Sequence, residues 1–215
     1  MNELIYKEKY VDNELLAEIK NFYARVGGAL TGGPVIDNSD NRTIYGMDGC
    51  SDRPLRLEYQ KNPIHKLISK LKTDMGDFYI HEGSLRYLYF PFGPHSDVRT
   101  SEHLLESRKK YRNGYTFLIP LQWKAGCKPG TAFFDSPPKE DQPLMIERDD
   151  VIPQLKNSNY AKNFGIKKLM PWKNPGDLVA WMNYQYHSSM VGGDWVYNEK
   201  EWCKEFISIE TYRFR

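Results

Sequence analysis

From residue 85 onward the chain breaks into short apolar runs bounded by Gly and Pro, a rhythm that admits strands and leaves no room for long helices. Residues 85–90 are rich in aromatic side chains, 115–121 read as a buried strand, and 130–134 and 176–181 each open on a glycine. Residues 205–214 alternate apolar and polar side chains, the period-two pattern of a strand with one face covered. The core is therefore expected to be all-β. Tyr, Trp and Phe at 14% of the chain suit the space between two packed sheets.

A set of ligand-type residues is threaded through this series. The turn Pro91-Phe92-Gly93-Pro94 delivers the chain into His95-Ser96-Asp97. In a strand, residues i and i+2 point to the same side, so one extended segment presents both His95 and Asp97 to one ion. A third ligand has to arrive from a distant strand. His187, read as the end of the strand entered through Gly176-Asp177, is placed to supply it. Two imidazoles and one carboxylate are the inventory of a facial triad, which binds Fe(II) on one face and leaves positions open for a chelating co-substrate and O2. His65, His81 and His103 have no matched partner in the sequence and are read as surface or structural.

In this order, the segments resemble the Fe(II)/2-oxoglutarate-dependent oxygenases, nearest in cadence to the prolyl-hydroxylase-like branch. The shared pattern is a Tyr-bearing strand, a turn, His-x-Asp, a Thr-bearing apolar strand, a Gly-rich strand, a Gly-Asp strand and a distal His, over about residues 85–215. The resemblance implies a double-stranded β-helix, a jelly roll of two antiparallel sheets, with N-terminal helices packed on the larger sheet. It implies His95, Asp97 and His187 as ligands of Fe(II), with 2-oxoglutarate as co-substrate and O2 as oxidant. Succinate and CO2 would be released as a C–H bond of a peptide, protein or small-molecule substrate is hydroxylated. Two other readings use the same strands: a cupin-like metal enzyme that does not use 2-oxoglutarate, and a metal-free jelly-roll binding module rich in Tyr and Trp.

The distal carboxylate of 2-oxoglutarate needs a cation deep in the barrel, and Arg, with its bidentate fork, suits it best. In the family an Arg, sometimes a Lys, opens the last strand soon after the distal His. This chain departs from that pattern. Lys204 is the cation that opens the last strand, and Arg213 lies near its far end. By strand parity Lys204 shares a face with Phe206, Ser208 and Glu210, whereas Arg213 goes with Ile207, Ile209 and Thr211. Lys204 is favoured over Arg213. Tyr87 and Tyr115 are candidates for phenol hydrogen bonds to the co-substrate, with plain core packing as the competing reading. The basic cluster Arg108, Lys109, Lys110 and Arg112 reads as a solvated face, with steering of an anionic substrate as the other use.

Upstream, the spacing of Leu15, Leu16, Ile19, Phe22 and Tyr23 predicts a helix over 12–26 with Asp12 as N-cap, and a second helix is expected over 63–74. Residues 27–54, rich in Gly, Asn, Asp and Pro, read as a long loop, and the proline-studded stretch 136–175 reads as an insertion between strands. Both are candidates for segments that close over substrate. The expected organisation is one domain over 1–215, with 1–75 as N-terminal support and 76–215 as jelly-roll core.

A formal charge of +2 is too mild for a chain that lives on phosphate contacts. No apolar stretch approaches the ~20 residues that span a bilayer. Residues 1–8 lack the apolar core of a signal peptide, and Cys50, Cys127 and Cys203 form no paired motif, so a reducing cytoplasm is the expected setting.

Overall fold

The carboxylate of Asp12 accepts the N–H of Leu15 at 2.8 Å, the N-cap bond that starts helix α1 (Asn13–Val26). Leu16, Ile19, Phe22 and Tyr23 on its inner stripe are buried. Helix α2 (Ile64–Met75) buries Ile64, Leu67 and Leu71 at the same helical spacing and stops at Gly76, whose positive φ of 81° ends the helix. These observations come from a computed structural model, which describes residues 4–26, 34–37, 42–45, 50–88, 97, 111–124, 127, 129–134, 166–191 and 204–214.

Both helices lie against one face of a six-stranded sheet. In chain order the strands are β1 (Ile5–Lys7), β2 (Pro34–Asp37), β3 (Arg42–Tyr45), β4 (Cys50–Pro54), β5 (Tyr79–Leu88), β6 (Tyr111–Trp123), β7 (Pro129–Phe134), β8 (Ile166–Pro171), β9 (Leu178–Met182), β10 (His187–Val191) and β11 (Lys204–Phe214). The larger sheet has the order β1-β9-β6-β11-β5-β4, a smaller one the order β10-β7-β8, and β2 and β3 form a separate hairpin. All pairings among the described strands are antiparallel. This is the expected jelly roll with helices on the larger sheet.

Period-two alternation divides the apolar residues into two cores. Phe117, Ile119, Leu121, Leu178, Ala180, Ile207 and Ile209 face the helices. Leu88, Leu118, Val179, Trp181 and Phe206 face the smaller sheet and meet Ala132, Phe133, Phe134, Met170 and Trp172. The second layer is the barrel interior, where the candidate site lies.

The junction before β9 is held by Asp177. Its carboxylate accepts hydrogen bonds from the Tyr6 hydroxyl and from the N–H groups of Lys9, Lys173 and Asn174. Burial pushes its pKa up, but these four donors outweigh burial and hold the carboxyl below its ordinary value. Gly176 precedes it with φ of +83°, and its N–H donates to the Pro120 carbonyl at 2.8 Å.

Several expectations need correction. Residues 27–54 are not one loop: they contain the β2–β3 hairpin and β4, which pairs with β5 at the edge of the larger sheet. The 136–175 stretch is not wholly an insertion, because β8 within it pairs with β7. His187 does not end a strand. It opens β10 in the smaller sheet, after a turn that leaves β9 at Met182. β1, a short edge strand, has no apolar signature of its own. The rest of the proposed closing segments, and the basic residues 108–110, lie outside the described residues. No described helix is long and apolar enough to cross a membrane.

Candidate active site

Asp97 and His187 meet inside the barrel. Oδ1 of Asp97 lies 3.7 Å from Nε2 of His187, and both side chains are almost fully buried. The other carboxylate oxygen, Oδ2, accepts a hydrogen bond from Thr116 Oγ1 at 2.6 Å and one from Trp181 Nε1 at 3.1 Å. Thr116 and Trp181 are cross-strand partners on β6 and β9, so the register of the larger sheet aims both donors at one oxygen.

The His187 ring is oriented as firmly. Its Nδ1 lies 3.0 Å from the Gln185 carbonyl, which only an N–H can satisfy, so Nδ1 carries a proton and, in the neutral tautomer a metal would bind, Nε2 offers the lone pair. The ring packs at 4.6 Å against Trp181 and at 6.5 Å against Phe133.

This arrangement fits a metal ion. An imidazole fixed by a bond from its far nitrogen, beside a carboxylate fixed by donors on its far oxygen, is the usual support of a metal ligand pair. A separation of 3.7 Å is within the ~4.2 Å that two atoms each about 2.1 Å from one first-row ion can span, and drawing the pair to ~3.0 Å would make them neighbouring ligands of an octahedral ion. Among the described residues no third His, Cys, Asp or Glu joins the pair. His95 lies outside the described residues.

A small pocket opens beside the pair. Leu88, Leu118 and Phe206 form an apolar part of its wall, and Lys204 is its buried cation. Nζ of Lys204 stands 4.4 Å from the centre of the Trp172 ring and 5.6 Å from that of Phe206. Burial pushes the Lys204 pKa down to about 7, against a smaller upward pull from Cys127. Ser208 lines the same wall, as the parity of β11 predicts.

Arg213 is not brought to this pocket. It lies on the helix-side face, where its guanidinium donates to the Met75 carbonyl and sits 5.2 Å over the Tyr115 ring. Tyr115 is stacked on Phe117 in the helix-side core, away from the barrel interior. Tyr87 alternates with the pocket-lining Arg86 and Leu88, so β5 turns its side chain to the other face.

Sequence reasoning missed three contributors. Thr116 and Trp181 lay within strands already recognised, but nothing in their spacing linked them to Asp97. Arg86 lines the pocket, donates through Nε to Ser84 Oγ at 3.0 Å and pairs with Glu82 at 3.2 Å and Glu210 at 3.9 Å. The alternation Glu82, Ser84, Arg86 along β5 was the signal that could have placed it.

No protein-family model and no curated protein sequence matches the chain. Solved structures do. SnoK, a non-heme α-ketoglutarate-dependent carbocyclase from nogalamycin biosynthesis, is similar with a TM-score of 0.57 at 11% identity, over 99% of this chain and 80% of that one. EctD from S. alaskensis, with 2-oxoglutarate and 5-hydroxyectoine, has a TM-score of 0.51 at 16% identity, over 99% and 72%. A prolyl-4-hydroxylase from Pseudomonas putida has a TM-score of 0.51 at 9% identity, over 100% and 94%. At such identities the likeness establishes the fold. The chain has the double-stranded β-helix fold of the iron- and 2-oxoglutarate-dependent oxygenases.

Proposed function

We propose that this chain is an Fe(II)- and 2-oxoglutarate-dependent dioxygenase that hydroxylates a C–H bond of a peptide, protein or small-molecule substrate. The observation that carries the reading is the meeting of Asp97, His187 and Lys204 in one pocket of a barrel with this fold. Asp97 and His187 would hold the iron, with His95 as third ligand. When bound, the iron with 2-oxoglutarate and O2 supplies the oxidation, and succinate and CO2 leave.

The residues around it supply position and exclusion of water. Thr116 and Trp181 keep one oxygen of Asp97 engaged, which turns the other toward His187. Lys204 gives the distal carboxylate of the co-substrate a cation in a dry wall, where charge attraction is strong. Leu88, Leu118 and Phe206 cover its methylene groups. Lys204 supports a 2-oxoglutarate enzyme over the cupin-like reading, because it provides the cation that the usual Arg would.

Fold and substrate are weakly linked. The similar proteins illustrate this, since one is a carbocyclase and another a prolyl-4-hydroxylase. The test is anaerobic iron loading followed by assay of succinate from 2-oxoglutarate across panels of peptides and small metabolites. Iron retained with stimulated succinate formation is expected, and Asp97→Ala should lose both. Iron bound without any 2-oxoglutarate turnover would favour the cupin-like enzyme, and no metal uptake at all would favour a binding module.

A further inference from the structure

The turn between β9 and β10 touches both proposed iron ligands through its own backbone. The Asn183 carbonyl accepts the N–H of Asp97 at 3.0 Å, and the Gln185 carbonyl accepts Nδ1–H of His187 at 3.0 Å. The same turn is tied to both sheets. Toward the larger sheet, the Asn183 N–H donates to the Gly114 carbonyl at 3.1 Å and its side-chain amide donates to the Thr211 carbonyl at 3.1 Å. Toward the smaller sheet, the Gln185 amide donates to the Phe134 carbonyl at 2.6 Å, and within the turn it also donates to the Tyr186 carbonyl at 3.1 Å.

Asn183 and Gln185 are 1% and 4% exposed, so these bonds form where water does not compete for them. The seat is built for close approach. A Cβ at Gly114 would meet the Thr211 carbonyl at 2.2 Å, and Thr211 inserts its hydroxyl between the Tyr115 N–H and carbonyl, at 3.0 and 2.7 Å, beside an irregularity in the β6–β11 register.

We propose that Asn183 and Gln185 are positioning residues that set the separation and orientation of Asp97 Oδ1 and His187 Nε2. The spacing of the two sheets is thereby converted into the geometry of the metal site. The ligand-holding groups are main-chain carbonyls, which no substitution deletes. Their places depend on the two side-chain amides, and a ligand pair that loosens by a fraction of an ångström loses metal affinity. This inference rests on the iron reading above and adds to it the device that shapes the site.

The test is anaerobic titration of Fe(II), and of Co(II) as a ligand-field probe, into the full chain and into Asn183→Ala and Gln185→Met. Tyr23→Phe is the control, since it removes a buried hydrogen bond of 2.7 Å to the Leu55 carbonyl in the helix layer, remote from the pocket. Both turn variants should bind metal about 10–100-fold more weakly and show an altered Co(II) spectrum. The control should match the unaltered chain in both readouts. Should one turn variant fail to fold, the other carries the test. Unchanged affinity and spectrum in a folded turn variant would overturn the positioning role, as would an equal loss in Tyr23→Phe. No metal uptake by the unaltered chain would overturn the iron reading itself, and this inference with it.

Discussion

The ammonium of Lys204 stands 4.4 Å from the Trp172 ring centre, and the same indole donates its N–H to Thr131 Oγ1 at 3.3 Å. The hydrogen bond locks the ring, and the ring presents its electron-rich face to the cation. Taking the ammonium out of water disfavours its charged form, so burial lowers the Lys204 pKa to about 7.

Stability should therefore depend on pH in a defined direction. The unfolded chain keeps Lys204 protonated up to its ordinary 10.5, while the folded chain releases the proton near 7. Between those values the unfolded state binds more protons, so stability rises with pH across the window. Replacing Lys204 by Met should make the metal-free protein more stable than the unaltered chain below pH 7, with the gap closing toward pH 10.5. Thermal melts across that range check it.

An anion at this site should reverse the shift. Binding of 2-oxoglutarate above pH 7 should take up a proton, seen as a binding heat that varies with the ionisation enthalpy of the buffer. Lys204→Ala should weaken 2-oxoglutarate by roughly a hundredfold or more, while iron binding survives. Arg213→Ala should leave the affinity unchanged, because its guanidinium serves the Met75 carbonyl at the opposite face.

Asp177 should contribute to acid unfolding. Its carboxyl is held below the ordinary 3.8, so its contribution is complete above that pH and is lost as pH falls through the lower folded value. Asp177→Asn should flatten the acid limb and cost about 1–3 kcal/mol near neutrality, where backbone N–H donors lose a charged acceptor. Urea midpoints at neutral and acid pH measure both effects.

Two glycines with nearly equal positive φ should differ in cost. Gly176 and Gly76 have φ of +83° and +81°, but a Cβ at Gly176 would meet the Val11 carbonyl at 2.5 Å, whereas one at Gly76 meets nothing within 4 Å. Gly76→Ala should lose about 1–3 kcal/mol from its backbone alone, because a positive φ with ψ of 168° is a conformation that side chains rarely adopt. Gly176→Ala should lose more, because its Cβ meets a backbone carbonyl that has to move.

The pattern of apolar runs was enough to locate β5, β6, β7, β9 and β11, because each carries residues buried on at least one face. β4 and β8 escaped for a physical reason. Cys50-Ser51-Asp52-Arg53-Pro54 and Ile166-Lys167-Lys168-Leu169-Met170-Pro171 have the composition of loops, and both lie at sheet edges, where backbone pairing does not demand an apolar run. Parity separated Lys204 from Arg213 correctly but could not say which face was the pocket, since helices cover one side of β11 and the smaller sheet the other. The support of Asp97 by Thr116, Trp181 and Asn183 had no sequence signature. It depends on which strands become neighbours, and contacts such as Asp97 to Trp181 join residues far apart in the chain.

β11 pairs with β5 on one side and with β6 on the other, and it is the last in sequence of the described strands. Without it the larger sheet falls into two pieces, β4–β5 and β6–β9–β1. Ordering so distant a segment loses chain entropy before any of its contacts form, a condition that slows folding. Joining β5 to β6 through β11 is thus a closure between segments far apart in the chain. Lys204 arrives in the same step that creates the pocket around it, so a partly folded chain that still holds β5 and β6 apart has no enclosed cavity for a dicarboxylate to enter.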